Sequence, residues 1–177
     1  MKKLLQLLFE HKTLERIAAK EVLVNIGKGI YNEHEVTAFM TVYLMRSITI
    51  EELQGFRDAL LELCVPVDLK EFETIDIVGT GGDGKNTFNI STLSCFIVAG
   101  TGQKVAKHGN YGASSISGAS NVMEILGYKF KNSNDGLKKE TEEANICFLH
   151  APLFHPALKT VGPIRKNLGM RTFFNML

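Results

Sequence analysis

The sequence is most informative first for what it is short of. It contains no tryptophan, four prolines and three cysteines in 177 residues. Cys64, Cys95 and Cys147 are odd in number and far apart, so neither a disulfide framework nor a paired zinc spacing can be read from them. They are expected as reduced, mostly buried thiols. Charge of either sign is not in excess, with 20 basic against 19 acidic residues, and 45% of the chain is hydrophobic. That balance excludes a disordered chain and gives no reason to expect nucleic acid or another polyelectrolyte as partner. No apolar run approaches the ~18–20 residues of a membrane span. The opening "MKKLLQLLFEHKTL" is basic and then apolar, but charge interrupts it within ten positions and no small-residue cleavage site follows. It reads as a helix, not as a signal peptide, and the chain is expected in the cytoplasm. There is no internal repeat or low-complexity tract.

What is present begins with helices. Up to about residue 64, apolar positions recur at spacings of three and four, and the breaks carry capping signals. Leu4, Leu5, Leu7 and Leu8 form a first apolar face. Thr13 is placed to cap a helix that runs to about Ile26, where "GKG" stops it. Asn32 with Glu35, and Thr49 with Glu52, each have the spacing of a capping box. Val36, Phe39, Met40, Tyr43 and Leu44 give the third helix a buried stripe, and Leu53, Phe56, Leu60 and Leu63 give the fourth one. Residues 1–66 are therefore expected as a small bundle of four short helices.

Past Pro66 the period changes. A β-branched run from Thr74 to Val78 reads as a buried strand. A helix is expected from about Ser91 to Gly100, a strand at Lys104–Lys107 and a helix from about Gly118 to Leu126. A polar helix near Leu137–Glu143, a strand at Ile146–Leu149 and a helix after Pro156 follow. Such alternation implies right-handed crossovers and a mainly parallel sheet. The fold class is thus α/β, with a helical bundle followed by a parallel-sheet domain over residues 72–177.

Four glycines fall in "DIVGTGGDGKNTFNIST", residues 76–92, at the carboxyl end of the first expected strand, where ligands of open parallel sheets bind. Glycines let successive amide N–H groups line one concavity, and the helix opening near Ser91 adds unpaired donors and a positive dipole end. A phosphate cradle is one reading; a tight turn that only reverses the chain is the other. The spacing is neither that of a P-loop nor that of a dinucleotide fingerprint. A second loop, "KHGNYGASSISGAS", residues 107–120, follows another strand and again concentrates glycine, serine and basic character. If both loops face one ligand, Lys107 supplies a point charge to phosphate oxygens, and Ser114 and Ser115 supply hydroxyls.

Together "GTGGD", "TFNIST", "KHGN", "SSISGAS" and "GPIRKNLGMRTFFN" resemble the anthranilate phosphoribosyltransferases of tryptophan biosynthesis, in order and over nearly the whole chain. Pyrimidine nucleoside phosphorylases share the "GTGG" and "KHGN" loops on a similar two-domain fold, while "TFNIST" and "RTFFN" favour the transferase. The resemblance implies a nucleoside phosphorylase/phosphoribosyltransferase-like α/β domain that binds 5-phosphoribosyl 1-diphosphate. The residues it implies are Gly79, Gly82, Asp83, Thr87, Asn89, Ile90, Ser91 and Thr92, with Lys107, His108, Gly109, Asn110, Tyr111, Gly112, Ala113, Ser114, Ser115 and Ala119. It implies Mg2+ as cofactor with Ser91 as a ligand, and anthranilate held by Gly79, Asn110 and Arg165. It also implies homodimers paired through the N-terminal helices. No covalent nucleophile or general base is assigned.

The sequence departs from the family pattern at Tyr111, where an arginine is usual, at Ala119, often serine, and at Asn121, often aspartate. His108 either orients substrate or makes local hydrogen bonds. His150 is expected to be structural, and His155 to line an anthranilate tunnel or cap a helix. Packing or solvation accounts for His11 and His34. Arg165 is a solvated helix residue by default, and the motif match makes it a ligand contact. Family members continue for roughly as long again, with an Asp-Glu pair that binds magnesium. The chain is therefore expected to be a truncated form with an incomplete sheet and little turnover. The alternatives are a nucleoside phosphorylase-like enzyme and a non-catalytic dimerising fragment.

Overall fold

The computed structural model describes residues 1–79, 87–112 and 117–177. In chain order the helices and strands are α1 (Lys2–Phe9), α2 (Arg16–Gly27), α3 (Glu33–Met45), α4 (Ile50–Leu63), α5 (Ile90–Gly100), β1 (Val105–Gly109), α6 (Ala119–Ile125), α7 (Asn134–Ala144), β2 (Ile146–His150), α8 (Ala151–Phe154) and α9 (Leu158–Leu168). They form two compact units, one of Met1–Cys64 with His155–Leu177 and one of Val65–Phe154. The division expected from the sequence, residues 1–66 and 72–177, has one cut, whereas these compact units have a second between Phe154 and His155. No helix among the described residues is long and apolar enough to cross a membrane.

In the first unit both capping boxes form: Asn32 Oδ1 accepts from Glu35 N at 3.0 Å and Thr49 Oγ1 from Glu52 N at 3.2 Å. Thr13 is not a cap. Helix α2 starts three residues later, with Glu15 at the N-cap making no side-chain cap bond. The incoming chain is pinned instead by Leu14 N, which donates to Glu52 Oε1 at 3.0 Å. Glu52 is fully buried and also accepts two bonds from Arg46, at 3.0 and 2.6 Å, and one from Tyr43 Oη at 3.2 Å. Burial opposes its ionisation, but the Arg46 guanidinium and the amides of Thr49 and Leu14 prevail and bring its pKa down to about 2. Helices α2 and α4 approach closely at Gly55, where a Cβ would stand 2.3 Å from the Arg16 carbonyl oxygen and 2.8 Å from Ala19 Cβ.

Aromatic packing explains why the last 23 residues join this unit. Phe173 stacks on Phe56 with centroids 4.7 Å apart and meets the edges of Phe39 at 6.2 Å and Tyr43 at 5.2 Å. Val161 and Ile164 of α9 are buried in the same cluster. Full burial of each such side chain stabilises by about 1.5–3 kcal/mol. The "TFF" segment is thus core of the helical unit.

The second unit is built on a parallel pair, β1 and β2, in register from Val105 opposite Ile146 to Gly109 opposite His150. One apolar cluster holds Cys95 and Ala99 of α5 against Val105; another joins Leu69, Leu137, Cys147 and Phe154. Cys95 and Cys147 are buried, while Cys64, in the first unit, is partly exposed. Val65 N donates to the Phe154 carbonyl at 2.8 Å, so the ends of this unit lie side by side. Strand β1 runs two residues beyond its expected end, and α7 starts early because Ser133 Oγ caps Gly136 N.

The run from Thr74 to Val78 is not the buried strand expected. Ile75 forms a single parallel bridge with Val105, and Ile75 and Val78 are exposed. Ile75 N donates to Lys104 O and Ala106 N to Ile75 O, which begins a ladder. Side chains then replace its next bonds: His108 N donates to Asp76 Oδ1, and the Ile77 carbonyl accepts from Lys107 Nζ. Regular pairing stops where the polar residues take over the backbone partners.

Candidate functional site

The carboxyl ends of the 74–79 segment and of β1 lie beside each other, and the amino terminus of α5 adjoins them. A Cβ on Gly79 would stand 3.5 Å from Ser91 Oγ. Asn89 is the N-cap of α5: its Oδ1 accepts from Thr92 N at 3.2 Å and from Thr92 Oγ1 at 2.8 Å. Ile90 N donates to the Phe88 carbonyl at 2.8 Å. Ser91 lies in the first turn of α5, where helix amides have no intrahelical acceptor, at the positive end of the helix dipole. Thr92 is buried, while Thr87 and Ile90 are exposed.

Lys107 is almost wholly buried, and its ammonium donates to the carbonyls of Ile77 at 2.9 Å and His108 at 3.3 Å. One of its three N–H donors has no partner among the described residues. The side chain thus places its ammonium against the Ile77 carbonyl, two residues before Gly79. His108 points the other way and is exposed, with Nδ1 hydrogen-bonded to Asp76 Oδ2. Burial opposes ionisation of Asp76, but the bonds from His108 outweigh it and hold the carboxyl below its ordinary range.

The segment after β1 is held from several sides. Asn110 Oδ1 accepts from Tyr111 N at 2.8 Å, and the Asn110 carbonyl from Ser120 N at 3.1 Å. Asn121 Oδ1 accepts from Gly112 N at 3.1 Å and from Gly118 N at 2.9 Å. A Cβ on Gly118 would meet Gly112 N at 2.4 Å and Asn110 O at 2.6 Å, so only glycine lets the two strands of this loop pass. Tyr111 donates to Glu124 Oε1 at 2.7 Å and sets its ring edge-on to His150 at 5.0 Å. Ala119 opens α6, partly buried.

His150 is structural in this arrangement. It is buried, stacks on Phe130 at 4.1 Å and shares a 2.8 Å hydrogen bond between Nδ1 and Ser120 Oγ. Burial keeps the imidazole toward its neutral form. Arg165 belongs to the first unit, where Nη2 donates to Asn175 Oδ1 at 3.4 Å and the guanidinium lies 5.5 Å from the Phe174 ring centre. Burial lowers its pKa. Gly82, Asp83, Ala113, Ser114 and Ser115 lie outside the described residues.

Gly79, Ser91 and Lys107–Gly112 are therefore brought to one end of the second unit. Asp76, Glu124 and Phe130 were missed by the sequence reading. Asp76 alone carried a signal, as a carboxylate inside a β-branched run. For magnesium the fit is partial: Ser91 supplies one neutral oxygen, and no group of three or more His, Cys, Asp or Glu side chains among the described residues is placed to hold a metal. A hard dication needs several oxygens, so Ser91 alone does not hold one.

A helical unit and a parallel α/β unit with glycines at its strand ends make up a two-part architecture. The chain belongs to the glycosyl transferase family, matching its helical bundle domain over residues 2–64 and its a/b domain over residues 71–177. It is 66% identical over all 177 residues to the anthranilate phosphoribosyltransferase of Cytophaga hutchinsonii, of which it covers 54%. The crystal structure of anthranilate phosphoribosyltransferase from Thermus thermophilus matches 97% of the chain and 52% of its own length, with TM-score 0.86 and 34% identity. The Saccharomyces cerevisiae enzyme in complex with PRPP and Mg matches 92% of the chain and 49% of its own, with TM-score 0.80 and 32% identity. The chain spans about half the length of the curated relatives it matches.

Proposed function

We propose that this chain carries the phosphoribosyl-diphosphate-binding part of an anthranilate phosphoribosyltransferase. The observation that carries the reading is the proximity of Gly79 to Ser91 at the amino terminus of α5, with the Lys107 ammonium buried against the neighbouring Ile77 carbonyl. These groups suit the phosphates of a doubly phosphorylated ribose. Asn110 and Arg165 are assigned to anthranilate, and Gly82, Asp83, Ser114 and Ser115 to the phosphates, on the motif match.

In the reaction the anthranilate amine attacks C1 of the ribose. The new C–N bond forms as the C1–O bond to diphosphate breaks, and the amine proton passes to solvent or the departing diphosphate. Negative charge grows on the leaving group, where Lys107 and the α5 amides stabilise it, and holding the amine near C1 lowers the barrier further. Among the described residues Ser91 is the one that would contribute an oxygen to a magnesium ion, which would supply additional positive charge at the diphosphate. The comparison supporting magnesium is the yeast complex with PRPP and Mg. Because the chain covers about half of its relatives, substrate binding is assigned to it ahead of full turnover.

Pairing through the N-terminal helices is part of the same reading, with the exposed Leu7 and Phe9 of α1 as contact residues. So is a cytoplasmic location. Titration calorimetry with 5-phosphoribosyl 1-diphosphate and magnesium tests the assignment. Saturable binding that is weakened by Lys107→Ala is expected; absence of heat with the fold intact would overturn it.

A further inference from the structure

The ladder between β1 and β2 ends at the pair Gly109–His150. Beyond it the 110–112 backbone has no strand partner among the described residues, so its order depends on side chains from elsewhere. A Cβ on Gly109 would stand 2.8 Å from Phe148 Cζ and 2.9 Å from Ala119 Cβ, and its absence lets the first turn of α6 close on the end of the sheet. That approach brings Ser120 to His150.

Ser120 is fully buried and acts in two directions. Its amide donates to the Asn110 carbonyl at 3.1 Å, and its Oγ shares the 2.8 Å bond with His150 Nδ1. The imidazole also stands edge-on to Tyr111 at 5.0 Å and stacks on Phe130 at 4.1 Å. One buried ring thus reaches two successive residues of the segment, Tyr111 by contact and Asn110 through one serine. When one member of a buried polar pair is lost, the other is left unsatisfied and whatever the pair holds is loosened.

The groups around the ring decide how it titrates. The 109–112 segment presents Tyr111, and α6 presents Ser120 and, bonded to the Tyr111 hydroxyl, Glu124. Phe130, Phe148 and Gly109 do not titrate, and neither does any side chain of α8. Tyr128 and its partner Glu140 of α7 lie on the Phe148 side, while Cys95 of α5 is turned toward Ile77. Burial outweighs the attraction of Glu124, so the imidazole pKa lies below its ordinary 6.5. An imidazolium here is relieved by opening to water or by drawing Glu124 away from Tyr111, and either movement frees the segment.

We propose that His150 is a positioning residue for the 109–112 segment, holding Asn110 through Ser120 and seating Tyr111 against its ring, and that only the neutral imidazole does this. The ordering is complete above pH 6.5 and is lost as the pH falls below it. Its consequence for ligand affinity rests on the phosphoribosyl diphosphate reading above; the ordering itself does not.

His150→Phe keeps an aromatic ring on Phe130 and removes both the bond to Ser120 and the titration. In the ligand-free chain, hydrogen exchange at the Tyr111, Gly112 and Ser120 amides should be about tenfold faster in this variant than in the parent at pH 7.5. At pH 5 the two should differ by no more than about threefold, because the parent has then lost the tie as well. Taking the ratio cancels the intrinsic effect of pH on exchange. Equal rates at pH 7.5, or an undiminished gap at pH 5, overturn the proposal. Should His150→Phe fail to fold, Ser120→Ala removes the same bond from the α6 side and must meet the same two marks. Calorimetry with 5-phosphoribosyl 1-diphosphate, whose phosphates titrate in the same range, is read as the difference between parent and variant. The parent should lose about fivefold more affinity than His150→Phe between pH 7.5 and pH 5. Parallel profiles overturn the link to ligand binding. A parent that binds no 5-phosphoribosyl 1-diphosphate at either pH overturns the proposed function, and the exchange rates still decide the role of His150.

Discussion

The Tyr111 hydroxyl donates to Glu124 Oε1 at 2.7 Å, so the side chain standing where relatives are expected to carry a fixed cation is tied to a carboxylate of α6. That bond, with some burial, raises the phenol pKa and keeps it protonated as donor. Tyr111 therefore steadies the 109–112 segment and adds no charge to it. Tyr111→Phe should cost little stability, about 0.5–1 kcal/mol, as one exposed hydrogen bond is lost. Affinity for 5-phosphoribosyl 1-diphosphate should fall no more than about fivefold by calorimetry. A larger loss would show that the hydroxyl itself meets the ligand.

Lys107→Ala removes the cation beneath the strand ends and leaves the Ile77 carbonyl without its partner. Affinity for 5-phosphoribosyl 1-diphosphate should drop more than affinity for anthranilate, because the proposed site puts this charge on the diphosphate side. Stability should fall by about 1–3 kcal/mol through the orphaned acceptor, read by urea unfolding. Equal loss of both ligands in a folded variant would contradict this placement.

Gly118→Ala tests the close passage within the second loop. The added methyl would press on Gly112 N and Asn110 O, both backbone atoms that no side-chain rotation can relieve. A destabilisation of about 1–3 kcal/mol is expected, with weakened phosphate binding, since the backbone must part. Unchanged melting and unchanged affinity would show that the loop yields freely.

Glu52 makes the stability of the helical unit depend on acid. Its folded pKa is about 2 against an ordinary 4.5, so its contribution is complete above pH 4.5 and is lost as the pH falls toward 2. The contribution is on the order of 3 kcal/mol. Glu52→Gln should lower the melting temperature at pH 7 and flatten the acid slope, measured by circular dichroism between pH 2 and 6. A variant with the parent's slope would move the acid sensitivity elsewhere.

How much of this was legible in the chain differs by element. Capping boxes at Asn32 and Thr49 were readable because both partners lie three residues apart and the geometry is local. The same holds for α5, α6 and the β1 and β2 strands, whose apolar patterns are contiguous. Thr13 was misread because the start of α2 is governed by Glu52, 38 residues from Leu14. The strand at 74–78 failed for the same kind of reason, since Asp76 and Lys107 capture the backbone groups a ladder would have used. At the site, Gly79, Ser91 and Lys107 were legible as residue types suited to phosphate. Their mutual approach, and the ties of Tyr111 to Glu124 and His150, were not.

By itself, the sequence determined the local order of helices and strands, the α/β class and the family, because periodicity, caps and motifs are written in neighbouring residues. Only the tertiary structure decided that Phe173 and Phe174 belong to the helical core, that Lys107 is buried beneath the strand ends and that half of α5 stands uncovered. Those outcomes depend on which distant surfaces meet. Contacts between residues far apart in the chain are set by packing and by competition for backbone hydrogen bonds, neither of which a linear pattern contains.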